Sequence, residues 1–311
     1  MNTSLQKKLT DHPNIYRIAL KLLEIWPAHE KYLQMRFRDD DLDFLSDTDL
    51  IVELVLKLVG KELKTYCEDY KWMCDRFSEE QLYFRRFGEY RLKTFQEANA
   101  SIYSDTAYMS RYVHGILMSQ IFWRNHAQAI NLFRSKFLEK CNNAYEYLEI
   151  GPGHGLFFYF AAKDPKSTSV TGWDVSRSSI NATHNAMQTF GIPKSAYNLI
   201  KQDLMKMPIN KPTFNVITIS EVLEHLETPD IALKMLHHSL SPGGQIFINV
   251  PVNSPAPDHI FLWRSQDEVI KLVESCGFTI KEAYYLPIAG YSIETATTMN
   301  LDISCVIIGE K

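Results

Sequence analysis

Three glycines alternate directly after a β-type run, in the segment YLEIGPGHG at residues 147–155. They are Gly151, Gly153 and Gly155. Glycine permits a sharp turn at positive φ and lets a ligand approach the backbone without a Cβ in the way. The turn follows a predicted central strand, at the edge where open α/β sheets bind ligands. The first N–H groups of the next helix add hydrogen-bond donors there. The segment therefore predicts a ligand-binding turn.

Acidic residues end the next two β-type runs. Asp174 lies at the end of the second run, roughly 20 residues after the turn, where a carboxylate can accept hydrogen bonds from both hydroxyls of a ribose. Asp203 ends the third run, NLIKQD at 198–203. The glycine turn and the two acids together indicate a cofactor site rather than an ordinary loop.

This ordered set resembles the class I S-adenosylmethionine-dependent methyltransferases, with E-x-G-x-G-x-G at Glu149–Gly155, an acid at Asp174 and Asp203-Leu204 further on. The resemblance covers roughly residues 130–311 and implies S-adenosylmethionine as cofactor, with S-adenosylhomocysteine as product. It implies cofactor contacts from ten residues: Glu149, Gly151, Gly153, Gly155, Asp174, Val175, Asp203, Leu204, Ser220 and Glu221. Of these, Ser220 and Glu221 would border the methionine portion.

The resemblance also implies individual roles. Glu149 would organise the glycine turn and approach the amino-acid end of the cofactor, and the three glycines would pass beneath its methionine and ribose portions. Asp174 would hold the ribose hydroxyls, with Val175 against the adenine face. Asp203 would accept from the adenine amino group, with Leu204 nearby.

Three alternatives compete with this interpretation. The residues could be ordinary βα-turn residues of another doubly wound protein, or the fold could serve as a non-catalytic interaction scaffold. A nicotinamide-dependent oxidoreductase is the third, but its fingerprint is G-x-G-x-x-G/A. Here the third glycine comes one residue early and Leu156 occupies the last position. The sequence favours the methyltransferase.

The segment after the fourth β-type run bears on the methyl acceptor. Families that methylate exocyclic amines of bases or glutamine side chains carry [DN]-P-P-[YFW] there, whereas this chain has SEVLEH at 220–225. The Pro-Cys dipeptide of cytosine C5 enzymes does not occur. SEVLEHLETP instead resembles small-molecule methyltransferases that act on quinones, polyketides and other secondary metabolites. We expect a hydroxyl acceptor in preference to a carbon, on a molecule that is either free or tethered to a carrier protein.

Two histidines are candidates for the general base, His225 after the fourth run and His259 after the fifth. Neutral imidazole near pH 7 suits removal of a proton from a hydroxyl, although each histidine could instead only pin its loop. Asn253 and Asp258 could orient the substrate. Further candidate substrate contacts lie in the helical part, at Tyr108, Tyr112 and His114, although packing in an aromatic core would also explain them. The acidic run DDDLD (39–43) is interpreted as a loop or helix cap, and no metal is expected.

The elements that position these residues change character near residue 140. After it, β-type runs alternate with helical segments, which predicts βαβ units and a parallel sheet. The last two runs are joined by too little chain for a helical crossover, so we expect an antiparallel hairpin at the sheet edge. The fold class is therefore α/β, a Rossmann-like, mostly parallel sheet with an N-terminal helical domain. We divide the chain into a helical lid or substrate domain (1–135) and a cofactor-binding domain (136–311).

The helical part offers several boundary signals. Ser46 or Asp47 could cap a helix that ends at Gly60. Ser78 to Gln81 has the S-x-x-Q spacing of a capping box. A third helical segment runs from about 110 to 140, with a break near 123–125.

Composition bounds the remaining possibilities. A net charge of −4 provides no basic excess for a phosphate backbone, so no nucleic-acid partner is expected. Five scattered cysteines without metal-ligand spacing are typical of reduced, buried thiols. No signal peptide or apolar run of membrane-spanning length is apparent, which predicts a soluble cytoplasmic protein with a small-molecule partner.

Overall fold

The computed structural model describes residues 3–206 and 213–311. Its first part is helical, because apolar side chains recur there at helical spacing and glycine is rare. A π-helical turn follows the sixth helix, and another follows the eighth. The helices are α1 Thr3–Leu9, α2 Pro13–Ile25, α3 Glu30–Arg38, α4 Leu42–Val59, α5 Leu63–Phe87, α6 Phe95–Ala98, α7 Thr106–Phe122 and α8 Arg124–Leu132.

The second part alternates strands and helices. Its elements are β1 Tyr145–Ile150, α9 Leu156–Lys163, β2 Ser167–Asp174, α10 Arg177–Thr189, β3 Asn198–Lys201, β4 Phe214–Ser220, α11 Pro229–Ser239, β5 Leu240–Val252, α12 Gln266–Ser275, β6 Thr279–Pro287, α13 Ile293–Thr298 and β7 Ile303–Glu310. Within the described residues the strands form one sheet of seven, in the order β3-β2-β1-β4-β5-β7-β6.

The strand directions follow from the connections. Strands β1 to β5 pair in parallel, since a helix or a longer crossover joins each to the next. Strand β7 runs antiparallel to both β5 and β6, and it inserts between them. The predicted α/β fold is thereby confirmed: a Rossmann-like, mostly parallel sheet with an antiparallel C-terminal pair, preceded by a helical part.

Both faces of the sheet are buried. Successive side chains of a strand point to opposite faces, and in β1 Tyr145 and Tyr147 join one apolar cluster while Leu148 and Ile150 join the other. The first cluster continues into buried residues of α2, α4, α5, α7 and α8. The N-terminal helices therefore share a core with one face of the sheet. The division into domains 1–135 and 136–311 stays a prediction.

Helix boundaries in the first part correct two of the sequence assignments. Helix α4 begins earlier than expected, and its N-cap is Asp41, whose carboxylate accepts from the Phe44 N–H, rather than Ser46 or Asp47. Ser78 does not begin a helix: it lies inside the 25-residue α5, where its hydroxyl donates to the Cys74 carbonyl. A serine inside a helix can donate its hydroxyl to the carbonyl four residues earlier without ending the helix.

Two other boundary signals are confirmed. Helix α4 ends at Val59 with Gly60 as its C-cap, and the third helical segment breaks at Trp123 between α7 and α8. A capping box does occur, but before α6, where Thr94 and Glu97 bond each other's backbone N–H groups. In the described part of the chain no helix combines the length and apolarity required to span a membrane.

Candidate active site

A cavity of about 490 Å³ lies at the carboxyl ends of β1, β2 and β4. This is within the range of roughly 300–1,000 Å³ that is usual for small-molecule and cofactor sites. One wall consists of the loops that follow the strands. The opposite wall comes from α5 and α7 and is largely apolar, with Phe77, Met109, Tyr112, Val113 and Ile116. The two parts of the chain thus enclose one space.

The glycine turn forms the floor at one end of the cavity. Gly151 has φ +69°, and a Cβ there would lie 2.6 Å from Cγ2 of Val222, so a side chain cannot be added without displacing the β4 loop. At Gly153 a Cβ would meet only the Gly151 carbonyl oxygen, at 3.7 Å, so the backbone here faces the open cavity. The Thr183 hydroxyl donates to the Gly153 carbonyl at 2.9 Å and ties the turn to α10.

Gly155 serves a different purpose from the other two glycines. It has φ +81°, and a Cβ there would lie 3.1 Å from that of Ala186 on α10. Gly155 is not among the residues that line the cavity. This glycine permits α9 and α10 to pack closely, and its expected place beneath the cofactor stays a prediction.

Asp174 lies at the end of β2, beside the glycine turn, and lines the cavity. The Ser176 N–H donates to its Oδ1 at 2.7 Å, which holds the carboxylate toward the opening. Burial raises the pKa of Asp174 to about 6, because removing the charged form from water outweighs the hydrogen bonds that favour it. Val175 follows it, 38% exposed, on the cavity wall.

Asp203 and Leu204 line the same end of the cavity from the loop after β3. The strand itself ends earlier than expected, at Lys201. The Asp203 carboxylate accepts from the Met205 N–H at 2.9 Å and pairs with the Lys206 ammonium at 3.1 Å. Leu204 is buried, which places an apolar side chain beside this carboxylate.

Glu149, Ser220 and Glu221 complete the part of the cavity near the glycine turn. The Tyr147 hydroxyl donates to Glu149 at 2.9 Å, and burial raises the pKa of Glu149 to about 8. The Asn249 amide donates to the Ser220 hydroxyl at 3.1 Å and to the Glu221 carboxylate at 2.9 Å. Burial raises the pKa of Glu221 well above its ordinary value, and the charge of nearby Asp302 acts in the same direction.

The two candidate bases meet at the other end of the cavity, around a buried carboxylate. His225 and His259 both line the cavity, with ring centroids 5.1 Å apart. Between them lies Glu224, which is fully buried. Its Oε1 is 3.7 Å from Nε2 of His225 and 3.9 Å from Nε2 of His259. Burial lowers the pKa of His259 to about 4, so this imidazole is neutral near pH 7.

Asp258 connects this end of the cavity to the helical part. Its Oδ1 accepts from the Tyr112 hydroxyl at 2.7 Å, and its Oδ2 accepts from the Tyr103 hydroxyl at 3.2 Å. Its backbone carbonyl lies 3.0 Å from Nδ1 of His225. Two of the candidate substrate contacts, Tyr112 and Asp258, are therefore brought together, and both line the cavity.

The other three candidate substrate contacts lie away from the cavity lining. Tyr108 packs edge-on against Trp72 at 4.8 Å, and Nδ1 of His114 lies 2.8 Å from the Asp69 carboxylate. Asn253, at φ +51°, donates its side-chain amide to a backbone carbonyl of its own loop. Their side chains contribute to packing and loop structure, and their role as substrate contacts stays a prediction.

Several lining residues were not singled out from the sequence. Glu224 stands directly before His225 in SEVLEH, so the segment itself contained the signal. Tyr103, His126 and His154 also line the cavity. Burial lowers the pKa of His126 to about 3 and that of His154 to about 4. No local pattern marks Tyr103 or His126, because helix packing alone brings them here.

A family model described as a methyltransferase domain matches residues 122–279, about half of the chain. The matched segment begins at the end of α7 and includes the glycine turn, Asp174, Asp203 and the Glu224 loop. The chain belongs to this methyltransferase family.

Individual relatives agree with the family match. A ubiquinone biosynthesis O-methyltransferase of Coxiella burnetii is 31% identical over 124 residues, 39% of this chain and 50% of the relative. One from Pseudomonas syringae pv. tomato is 26% identical over 129 residues, 40% of this chain and 53% of the relative. The chain spans about half the length of the curated relatives it matches.

A solved structure shares the fold. It is a complex between the Haloferax volcanii Trm112 methyltransferase activator and a methyltransferase, 11% identical with a TM-score of 0.53. The match covers 68% of this chain and 97% of that chain. At this identity the likeness concerns the fold alone.

S-adenosylmethionine is the cofactor of this methyltransferase, and the residues present fit it. The backbone at Gly153 leaves space that a Cβ would otherwise enter. Asp174, beside it, would accept from ribose hydroxyls, and Val175, Asp203 and Leu204 would contact the adenine, since all four line this end of the cavity. Glu149 lies just before the turn and lines the cavity, where it would approach the methionine portion.

Proposed function

We propose that this methyltransferase transfers a methyl group from S-adenosylmethionine to a hydroxyl oxygen of a small-molecule biosynthetic intermediate. One observation carries the proposal: a single cavity joins Asp174 and the glycine turn to the cluster of Glu224, His225 and His259. A methyl donor at the first end would direct its methyl group toward the second. The cluster supplies the groups that can accept a proton.

Three features support a small oxygen acceptor. Aromatic and apolar side chains of α5 and α7 cover the cavity, which suits an organic molecule more than a polymer backbone. The net charge of −4 offers no general attraction to nucleic acid. The curated relatives are ubiquinone biosynthesis O-methyltransferases, which favours oxygen over carbon.

The chain's own residues account for the remaining chemistry. When bound, the cofactor supplies a methyl group on a sulfonium, which forms a bond to the acceptor oxygen as the carbon–sulfur bond breaks and its electrons stay on sulfur. Asp174 and the glycine turn hold the donor, and alignment of this kind can contribute roughly 7–11 kcal/mol. When nothing else is bound to the imidazole nitrogens, Nε2 of His225 or His259 accepts the hydroxyl proton. A positioned general base of this kind typically increases the rate by about 10²–10⁴-fold.

Calorimetry with S-adenosylmethionine tests the cofactor half of the proposal. We expect the wild-type chain to bind it and Asp174→Ala to weaken binding by about 100-fold, because hydrogen bonds to a charged group contribute about 1.5–3 kcal/mol each. Asp11→Ala is the matched control, since Asp11 is exposed on a distant loop. A wild-type chain that binds no S-adenosylmethionine would favour the interaction scaffold.

A transfer assay tests the acceptor half. The chain is incubated with methyl-labelled S-adenosylmethionine and one of three acceptors. These are catechol, a catechol that carries a carboxyl group, and the pantetheine thioester of that carboxylated catechol. We expect label on oxygen, and a preference for the thioester would indicate a carrier-tethered acceptor in the cell. Label on carbon, or on none of these compounds although the cofactor binds, would contradict the oxygen acceptor proposed here.

A further inference from the structure

The carboxylate of Glu224 is buried without compensation. The side chain has no exposure to solvent. Among the residues that the structure describes, neither of its carboxylate oxygens has a hydrogen-bond partner. A buried charge is costly unless a partner or a metal ion compensates it. The ring nitrogens Nε2 of His225 and Nε2 of His259 lie 3.7 and 3.9 Å from its Oε1, beyond hydrogen-bond distance.

The tautomers of the two imidazoles follow from their other contacts. Nδ1 of His225 lies 3.0 Å from the Asp258 carbonyl oxygen, and Nδ1 of His259 lies 2.6 Å from that of Ser254. A carbonyl oxygen can only accept, so Nδ1 carries the hydrogen in both rings. In the neutral rings Nε2 therefore presents a lone pair. Each Nε2 lies within 4 Å of Oε1 of Glu224.

Two lone pairs and a buried carboxylate repel one another unless a proton neutralises the carboxylate or a cation lies between the three groups. The Nε2 to Oε1 distances of 3.7 and 3.9 Å exceed a hydrogen bond, so a shared proton does not account for them. A cation bonded to each atom at about 2.0–2.2 Å would hold its ligand atoms up to about 4 Å apart. One ligand atom from each of Glu224, His225 and His259 lies within 4.8 Å of the other two.

The surroundings resemble those of built metal sites. A histidine that binds a metal commonly donates its second ring N–H to a carbonyl or carboxylate, which fixes the ring and the tautomer. Both rings do so here. A further carboxylate, Glu221, precedes the cluster on the same loop, lines the same cavity and is held by the Asn249 amide. It places a further carboxyl group beside the three proposed ligands.

We propose that Glu224, His225 and His259 bind one divalent first-row metal ion at the acceptor end of the cavity. Two imidazole nitrogens and a carboxylate oxygen suit Mn²⁺, Fe²⁺, Co²⁺ or Zn²⁺, and they leave coordination positions open toward the cavity. This departs from the sequence analysis, in which no metal was expected and the two histidines were candidate bases only.

The metal ion restricts the chemical class of the methyl acceptor, and this inference rests on the proposed function. Two open positions fit an acceptor with two adjacent oxygens, such as a catechol or a phenol beside a carbonyl group. A bound cation lowers the pKa of a hydroxyl that contacts it, so the hydroxyl proton passes to water as the acceptor binds. His225 and His259 then act as ligands and not as proton acceptors.

The test uses the full chain, freed of metal by chelation and dialysis, and titrated with Mn²⁺ by electron paramagnetic resonance and with Co²⁺ by visible absorption. We expect one site per chain. Glu224→Gln and His259→Gln should each weaken Mn²⁺ binding by at least about 10–100-fold. Glu274→Gln and His238→Gln carry the same substitutions at exposed positions on α12 and α11 and should bind like wild type. Thermal unfolding midpoints of the metal-free variants equal to that of the metal-free wild type show that the variants are folded.

Two results would overturn the proposed metal site. One is a wild-type chain that binds neither Mn²⁺ nor Co²⁺, and the other is equal metal binding by the wild type and all four variants. Methylation of catechol by the chelated protein at the wild-type rate would overturn the role in the reaction and leave the imidazole base. These outcomes are separate from a failure of the proposed function. That failure appears as a loss of S-adenosylmethionine binding or of methyl transfer, neither of which enters the metal titration.

Discussion

The two ends of the cavity are built in different ways. The cofactor end uses strand termini and the turns that follow them, with Gly151, Gly153, Asp174 and Asp203 each positioned by backbone geometry close to its own place in the sequence. The acceptor end is assembled from distant segments: Tyr112 and Asp258, which share a hydrogen bond, are 146 residues apart. The first end is thus specified by local pattern and the second by tertiary packing, so substitutions at the two ends should have separable effects.

The largest effect is expected from Gly151→Ala, which tests how rigidly the cofactor end is specified. The new Cβ would lie 2.6 Å from Cγ2 of Val222, and the residue keeps φ +69°. Val cannot easily turn its branched side chain away. Together the clash and the left-handed backbone should cost about 3 kcal/mol of the free energy of unfolding, with weaker S-adenosylmethionine binding. Urea unfolding and calorimetry measure the two effects.

Gly88→Ala is the matched control for that substitution. Gly88 has φ +70°, but a Cβ there would meet nothing within 4 Å. Only the backbone cost of about 1 kcal/mol remains, and cofactor binding should be unchanged. If both variants lose equal stability, the contact with Val222 is not what requires glycine in the turn.

The same contrast explains what the sequence could predict. The sequence predicts Gly151, Asp174 and Asp203 as cofactor residues because each follows or ends a β-type run. Parallel strands bring their carboxyl ends to one edge of the sheet, so these residues are expected to lie close together. The close approach of Gly155 to Ala186 on α10 could not be predicted, because sequence spacing does not show which faces of two helices pack together. Tyr103 and His126 could not be predicted, since helix packing alone brings them to the cavity. Glu224 could have been predicted, because it stands directly before the candidate base His225 in SEVLEH.

Protonation of Asp174 should affect the cofactor end alone. Its pKa is raised by burial to about 6, so the carboxylate that accepts from ribose is present above pH 6 and is lost as the pH falls below it. Affinity for S-adenosylmethionine should therefore fall by about tenfold from pH 7.5 to pH 5. Calorimetry at the two pH values measures it.

The control for this pH dependence is Asp174→Asn, which has no proton to gain in this range. Its weaker binding should be the same at both pH values. If the decrease below pH 6 persists in the variant, another group causes it. In the ligand-free protein the sign is opposite: a raised folded-state pKa means that this carboxyl destabilises the fold as pH rises from about 4 to 6.

The smallest effect is expected from Tyr112→Phe, which sharpens the distinction between the two ends. The change removes the hydroxyl that donates to Asp258 Oδ1 at 2.7 Å, while the ring keeps its place in the wall. Asp258 in turn places its backbone carbonyl against His225. With this hydrogen bond lost, the KM for the acceptor should rise by about three- to tenfold, within the 0.5–1.5 kcal/mol of an ordinary hydrogen bond. S-adenosylmethionine affinity should not change.

Tyr108→Phe makes the same substitution one helical turn earlier on α7, where the side chain packs against Trp72 outside the cavity lining. Steady-state kinetics should show the KM change for Tyr112→Phe only, and calorimetry should show equal cofactor binding for both variants. A change in cofactor affinity with Tyr112→Phe would mean that the helical wall also sets the geometry at Asp174. The two ends of the cavity would then be coupled through α7, and local pattern would not be sufficient to specify the cofactor end.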